Sequence, residues 1–247
     1  MDYKVNINGI DVEAHYRDED VENIFIPLLE EIREIERQSE ERVIVFMAAP
    51  TGAGKSTLAS FLQHLSVERG LIEDMQIIGM DGFHRRQEFL KSHYAVRDGR
   101  EVLMVDIKGA PETFDLEMLR ARLMEVASGK ECGWPEYNRQ LHDAVDNVIK
   151  VTAHVVMVEG NYLLLQETGW NELFGMADYT IFIRADEDML RKRLVARRIE
   201  SGHDKNEAES FVESSDMYNA RTILRGSKTA DLTLKLNPDG SYSVGNR

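Results

Sequence analysis

Lys55 and Ser56 close a run of small residues whose spacing suits phosphate chemistry. Ala49-Pro50-Thr51-Gly52-Ala53-Gly54-Lys55-Ser56 follows the pattern G-x-x-x-x-G-K-[ST], with Ala49 in place of the first glycine. Gly52 and Gly54 let the backbone curl so that successive N–H groups converge, and a helix starting at Lys55 adds the positive end of its dipole. The Lys55 ammonium is a point charge for the β- and γ-phosphates of a nucleotide, and the Ser56 hydroxyl is a hard oxygen ligand for Mg²⁺. Thr51, Gly52, Ala53, Gly54, Lys55, Ser56 and Thr57 are therefore the candidate nucleotide-binding set. They predict a nucleoside triphosphate and are silent on what is done with it.

Three further groups carry chemistry. Asp81 follows the strand-like run Met75–Met80 and precedes Gly82-Phe83-His84; it reads either as a turn aspartate or as a carboxylate at the ligand-binding end of a sheet. Glu159 ends the apolar run Val155–Val158, where an acidic residue supports the Mg²⁺ shell opposite a phosphate loop. Whether Asp81 or Glu159 touches the metal directly stays open. Arg193 and Arg197, at i and i+4, share one face of a basic helix over 186–200, either as solvated charge or as a pair that projects together. The stretch 131–143 mixes aromatic, basic and imidazole side chains, including Tyr137, Arg139 and His142, and fits a hairpin or a surface loop.

The elements around these residues alternate. Val43–Ala48 is a β-branched run, Leu58–Leu62 is helix-like, and strands at 75–80, 155–158 and 179–183 alternate with helices such as 116–127, capped by Asp115. That order predicts an α/β fold with a mainly parallel, three-layer sheet. Residues 3–14 read as a hairpin about Asn8-Gly9, and Val21 to Ile35 recur at helical spacing, giving a helix over 19–38. The expected division is an N-terminal hairpin and helix over 1–40, packed on a domain over 41–247 with a helical lid at about 190–220 and a closing hairpin. Lys91 to Glu101, with Arg97 and Arg100, reads as a charged helix-to-loop surface segment.

Composition narrows the partners. A formal net charge of −14 on 247 residues argues against a nucleic-acid partner, which needs a broad basic surface. No apolar run approaches the ~18 residues of a membrane span, and Cys132 is the only cysteine, so a reducing, cytoplasmic setting without a disulfide is expected. A homodimer is compatible with the sequence, which does not itself set an oligomeric state.

Taken together, Asp81-Gly82-Phe83, Lys108-Gly109-Ala110-Pro111-Glu112-Thr113-Phe114-Asp115, Pro135-x-Tyr137-x4-His142 and Val158-Glu159-Gly160 resemble the pantothenate kinase, uridine kinase and phosphoribulokinase group of P-loop kinases. Within that group the whole chain is most similar to the bacterial nucleoside/nucleotide kinase-like proteins called fructose transport system kinases. The resemblance implies a P-loop NTPase fold and an ATP- and Mg²⁺-dependent transfer of the γ-phosphoryl group to a hydroxyl of a small molecule: a sugar, a nucleoside or a pantothenate-like acceptor. It implies Asp81 as the catalytic base, Glu159 as the second acidic residue near Mg²⁺, and Arg193 and Arg197 as lid arginines. His84, Tyr137, His142 and Asn219 become substrate-side candidates. Asn138 and Arg139 depart from the uridine kinase pattern, in which Asp follows the motif Tyr; Arg139 favours an acceptor with negative charge or many oxygens. The rival reading is a regulatory P-loop ATPase with no small acceptor. The absence of Asn-Lys-x-Asp and Leu-Ser-Gly-Gly stretches disfavours a GTPase and an ABC-type ATPase.

Overall fold

Continuous apolar runs without alternation are what strands covered on both faces require, and Val43–Ala48 is buried at all six positions. The computed structural model describes residues 1–7, 9–97, 99–138 and 140–245. In chain order, β1 (Asp2–Ile7) and β2 (Ile10–His15) form a hairpin that leads through α1 (Asp18–Asp20) and a π-helical turn (Val21–Phe25) into α2 (Ile26–Gln38). Next come β3 (Val43–Ala48), α3 (Lys55–Glu68), β4 (Met75–Gly79) and α4 (Gln87–Leu90). A hairpin of β5 (Tyr94–Arg97) and β6 (Arg100–Leu103) precedes α5 (Leu116–Ala127), and another joins β7 (Cys132–Asn138) to β8 (Asp143–Val151). Then follow β9 (Val155–Gly160), β10 (Tyr179–Ala185), α6 (Glu187–Glu200), α7 (Lys205–Phe211), α8 (Met217–Gly226), β11 (Leu232–Leu236) and β12 (Tyr242–Val244).

The central sheet runs β12-β11-β10-β3-β9-β4, parallel except for β12, which pairs antiparallel with β11. The fold is thus α/β with a mainly parallel sheet. β3 lies inside it between β10 and β9, so the loop leaving β3 opens at the carboxyl ends of two neighbouring strands. One face packs on α2 and α3 through Leu28, Leu29, Ile32, Leu58, Leu62 and Leu65. The other packs on α5 and the β7–β8 hairpin through Leu119, Leu123, Val126 and Trp134. Asp115 caps α5 by accepting from the Met118 amide at 3.0 Å. Among the described residues no helix is long and apolar enough to cross a membrane.

Two segments differ from or sharpen the reading of the sequence. Cys132–Asn138 pairs with Asp143–Val151 as a hairpin, fixed to the edge strand by the buried Trp134, whose indole N–H donates to the Gly79 carbonyl at 2.8 Å. Residues 94–97 and 100–103 pair antiparallel as a second inserted hairpin rather than a helix-to-loop surface segment, and the Arg97 side chain is only 9% exposed. Its guanidinium lies over the Tyr218 ring at 4.4 Å and donates to Asn219 Oδ1 at 3.0 Å, so residues far along the chain cover it. Of the expected Asn8-Gly9 turn, Asn8 lies outside the described residues, as does Arg139.

Candidate active site

The phosphate-loop geometry follows from its two glycines. Gly52 (φ +88°) and Gly54 (φ +82°) sit in the left-handed region, where a side chain is strained. Gly54 is the N-cap of α3, and its carbonyl accepts from the Leu58 amide at 3.0 Å. Ala53 is buried, Thr57 lies half-buried in the first turn of α3, and the Thr51 hydroxyl accepts from Asn161 Nδ2 at 2.9 Å. Asn161 follows Glu159-Gly160 and ties the loop to the end of β9. It was not singled out from the sequence; its place two residues past the strand-end carboxylate was the available signal.

Glu159 meets the loop side by side. In register it stands between Met47 of β3 and Gly79 of β4. Its Oε1 accepts from Ser56 Oγ at 2.8 Å, and its Oε2 is 3.1 Å from Lys55 Nζ. Gly79 leaves it room, because a Cβ there would fall 3.3 Å from Oε1. Burial disfavours the charged form of Lys55, but the Glu159 and Asp81 carboxylates outweigh it and hold the ammonium pKa above its ordinary value. Lys55 is thus a fixed cation. Glu159 Oε2 is buried and faces the Lys55 ammonium. A hydroxyl and a carboxylate are hard oxygen donors, so the Ser56–Glu159 pair fits a Mg²⁺ ion.

Asp81 lies in a single 3₁₀ turn, Met80–Phe83, just past the end of β4. The turn is pressed against β7: a Cβ on Gly82 would lie 2.1 Å from the Pro135 carbonyl oxygen. His84 Nδ1 lies 2.8 Å from the Asp81 carbonyl, which can only accept, so Nδ1 carries the proton. Burial lowers the His84 pKa, opposed by Asp81 and aided by Lys108 and Lys55, so the ring is neutral at pH 7 with Nε2 as an acceptor. His84 packs on Phe114 at 4.0 Å between centroids and stands 5.2 Å from Tyr137. Lys108 Nζ donates to Tyr137 Oη at 2.9 Å and to the His142 carbonyl at 2.8 Å, and burial lowers its pKa. In the sequence Lys108 stands out only as the first residue of the Lys108–Asp115 motif. His142 has φ +51° and turns its carbonyl, not its exposed imidazole, toward this group.

A cavity of about 240 Å³ joins these parts; Ser56, Asp81, Tyr137 and Glu159 line it together. On the other side of the loop, α6 packs on Gly52 through Leu194, whose Cγ would be 3.2 Å from a Cβ there. Arg193 Nη1 is 3.4 Å from the Gly52 carbonyl, and the charge of Arg197 acts on both Lys55 and Asp216. Arg191 and Arg221 both bond Glu213, and Arg221 also bonds Glu187, which joins α6, the π-helical turn (Val212–Asp216) and α8. Asn219 is buried on α8, where its Oδ1 accepts from Arg97 and its Nδ2 lies against Gly109.

Comparison with known proteins gives a consistent result. Residues 44–241 match the model of the phosphoribulokinase/uridine kinase family. The chain is similar to the protein YggC of Escherichia coli, 37% identical over 243 residues and covering 98% of each chain. It is 24% identical over 200 residues to a pantothenate kinase of Lactococcus lactis, covering 72% of this chain and 62% of that one. A solved structure from Silicibacter sp., titled as that of a "putative fructose transport system kinase", superimposes with a TM-score of 0.75 at 28% identity, covering 85% of this chain and 98% of that one.

Proposed function

The chain belongs to the phosphoribulokinase/uridine kinase family of P-loop kinases, and from that premise we propose that it transfers the γ-phosphoryl group of ATP to a hydroxyl of a sugar or nucleoside. The observation that carries this reading is the shared cavity, in which the Ser56–Glu159 pair and Asp81 face one space.

In this reading the loop amides from Thr51 to Thr57 and Lys55 hold the donor phosphates. Ser56 and Glu159 hold Mg²⁺, which when bound neutralises charge on the phosphates. The Asp81 carboxylate orients the acceptor hydroxyl and takes its proton as the new P–O bond forms. Neutral His84 offers Nε2 to a neighbouring acceptor hydroxyl, and Tyr137, fixed by Lys108, supplies a ring face and a phenol oxygen beside it. Arg193 and Arg197 on α6 neutralise charge that develops on the transferring group. The body formed by α6, α7 and α8 acts as the lid that keeps water from competing for the phosphoryl group. Arg139 and Asn219 are proposed on the acceptor side, and the lone Cys132 accords with a cytoplasmic setting.

Mass spectrometry of reactions with ATP across a panel of sugars, nucleosides and vitamins tests the proposal. The expected result is ADP together with one phosphorylated panel member. Slow hydrolysis indifferent to every acceptor would overturn it in favour of a regulatory ATPase.

A further inference from the structure

The cavity that contains Asp81 has one wall that phosphoryl transfer itself does not call for. The β1–β2 hairpin lies across α3, anchored by Tyr3, whose Oη donates to the Ser60 carbonyl at 3.1 Å and whose ring meets Phe61 edge-on at 5.3 Å. Beyond this anchor β1 continues to Asn6 and Ile7, and both line the cavity. Strand alternation places Tyr3, Val5 and Ile7 on the half-buried face. The Asn6 side chain is used within the hairpin: Oδ1 accepts from the Gly9 amide at 2.9 Å, and Nδ2 donates to Asp11 at 2.6 Å. Asn6 thus fixes the tip, and Ile7 supplies the wall.

The lining changes character along its length. Ser56, Asp81 and Glu159 form the end where phosphate chemistry is proposed. Gln63 lies seven residues further along α3, a rise of about 10 Å, and Ile77 lies four residues before Asp81. Ile7, Ile77 and Ile149 bring apolar surface to that lower region. Among the described lining residues there is no lysine or arginine, and Glu136 adds a further carboxylate.

We propose that Ile7, carried by the N-terminal hairpin, is a specificity-determining residue of the acceptor site. It closes the cleft against the uncharged, carbon-rich part of an acceptor whose hydroxyl is presented to Asp81. An acceptor with a phosphate or carboxylate at that apolar end is disfavoured there, because among the described residues its lining offers Glu136 and no lysine or arginine. This inference rests on the kinase reading above.

Steady-state kinetics on the full chain tests it, comparing wild type, Ile7→Ser and Ile7→Trp with matched neutral and anionic acceptors of graded size. Ile7→Ser is expected to raise the KM for the preferred neutral acceptor by about tenfold, leaving the KM for ATP unchanged. Ile7→Trp is expected to discard the larger acceptors and retain the smaller, reversing their order of preference. A KM ratio between acceptor and ATP does not depend on how much of a preparation is folded, so a purely structural role would leave it unmoved. Unchanged acceptor KM and unchanged order in both variants, with an active wild type, overturns this inference alone, as does a wild-type preference for the anionic series. A wild type that phosphorylates nothing overturns the kinase reading with it.

Discussion

Asp81 reaches its place because β4 stops at Gly79 and the chain folds through one tight turn, which sets the carboxylate beside Lys55 rather than in solvent. A general base is tested by removing its ability to take a proton while keeping its shape. Asp81→Asn is expected to lower turnover by ~10² or more with ATP affinity nearly intact, read by single-turnover kinetics and calorimetric titration. Retained turnover would remove Asp81 from the role. The neighbouring His84 makes a different kind of statement, about pH. Its folded-state pKa lies below the ordinary value near 6.5 because burial disfavours the imidazolium. Below that ordinary value the unfolded chain binds a proton that the folded chain resists, so the stability associated with a neutral His84 is present above it and lost as pH falls toward the folded-state pKa. Thermal melts at pH 7.5 and 5.5 should therefore show a larger acid loss for wild type than for His84→Gln. Equal losses would mean that His84 is not held neutral.

At the scale of elements, the candidate site depends on the 80–83 turn lying flat against β7. Gly82 permits this by having no Cβ: a methyl group there would overlap backbone, 2.1 Å from the Pro135 oxygen and 2.9 Å from the Glu136 nitrogen, and backbone cannot rotate aside. Gly82→Ala is expected to cost about 1–3 kcal/mol in chemical denaturation, as overpacking does, and to reduce kcat/KM by shifting Asp81 within the cavity. Gly175→Ala, where nothing lies within 4 Å, should change stability by about 0.5 kcal/mol or less. Equal effects of the two substitutions would refute the close-packing argument. This contrast also marks what the sequence could convey. The β3-loop-α3 unit and the Asp115 cap on α5 were legible because their signals are local: an apolar run, two glycines, a carboxylate three residues from the amide it accepts. Arg97 was not, because its cover comes from Tyr218 and Asn219, more than a hundred residues away. Nor could spacing tell that His142 would present a carbonyl rather than a ring, which a backbone φ of +51° decides. The β7–β8 hairpin is tied to the sheet by the Trp134–Gly79 bond, again a contact distant in sequence.

For the molecule as a whole, the question is whether residues 1–40 are an appendage or part of one cooperative unit. Tyr16 stacks on Phe61 at 4.0 Å, and Phe25 meets Phe61 at 6.0 Å and Tyr242 at 5.3 Å, each edge-on. This aromatic group joins the N-terminal section, the helix after the phosphate loop and the last strand on one face of the sheet, and Asp20 accepts from the Tyr242 amide at 2.9 Å. Both tryptophans, Trp134 and Trp170, are buried on the opposite face. Their fluorescence therefore reports a core that Phe25 does not touch. Phe25 is fully buried, so Phe25→Ala is expected to cost about 3–5 kcal/mol. If the two faces unfold as one, tryptophan fluorescence and far-ultraviolet circular dichroism will shift to the same lower denaturant midpoint in that variant. A chain beginning at residue 41 will fail to reach the native fluorescence. An unmoved tryptophan midpoint in Phe25→Ala would instead mark the first forty residues as separable from the kinase fold, because a cavity beneath α3 would then leave the far side of the sheet intact.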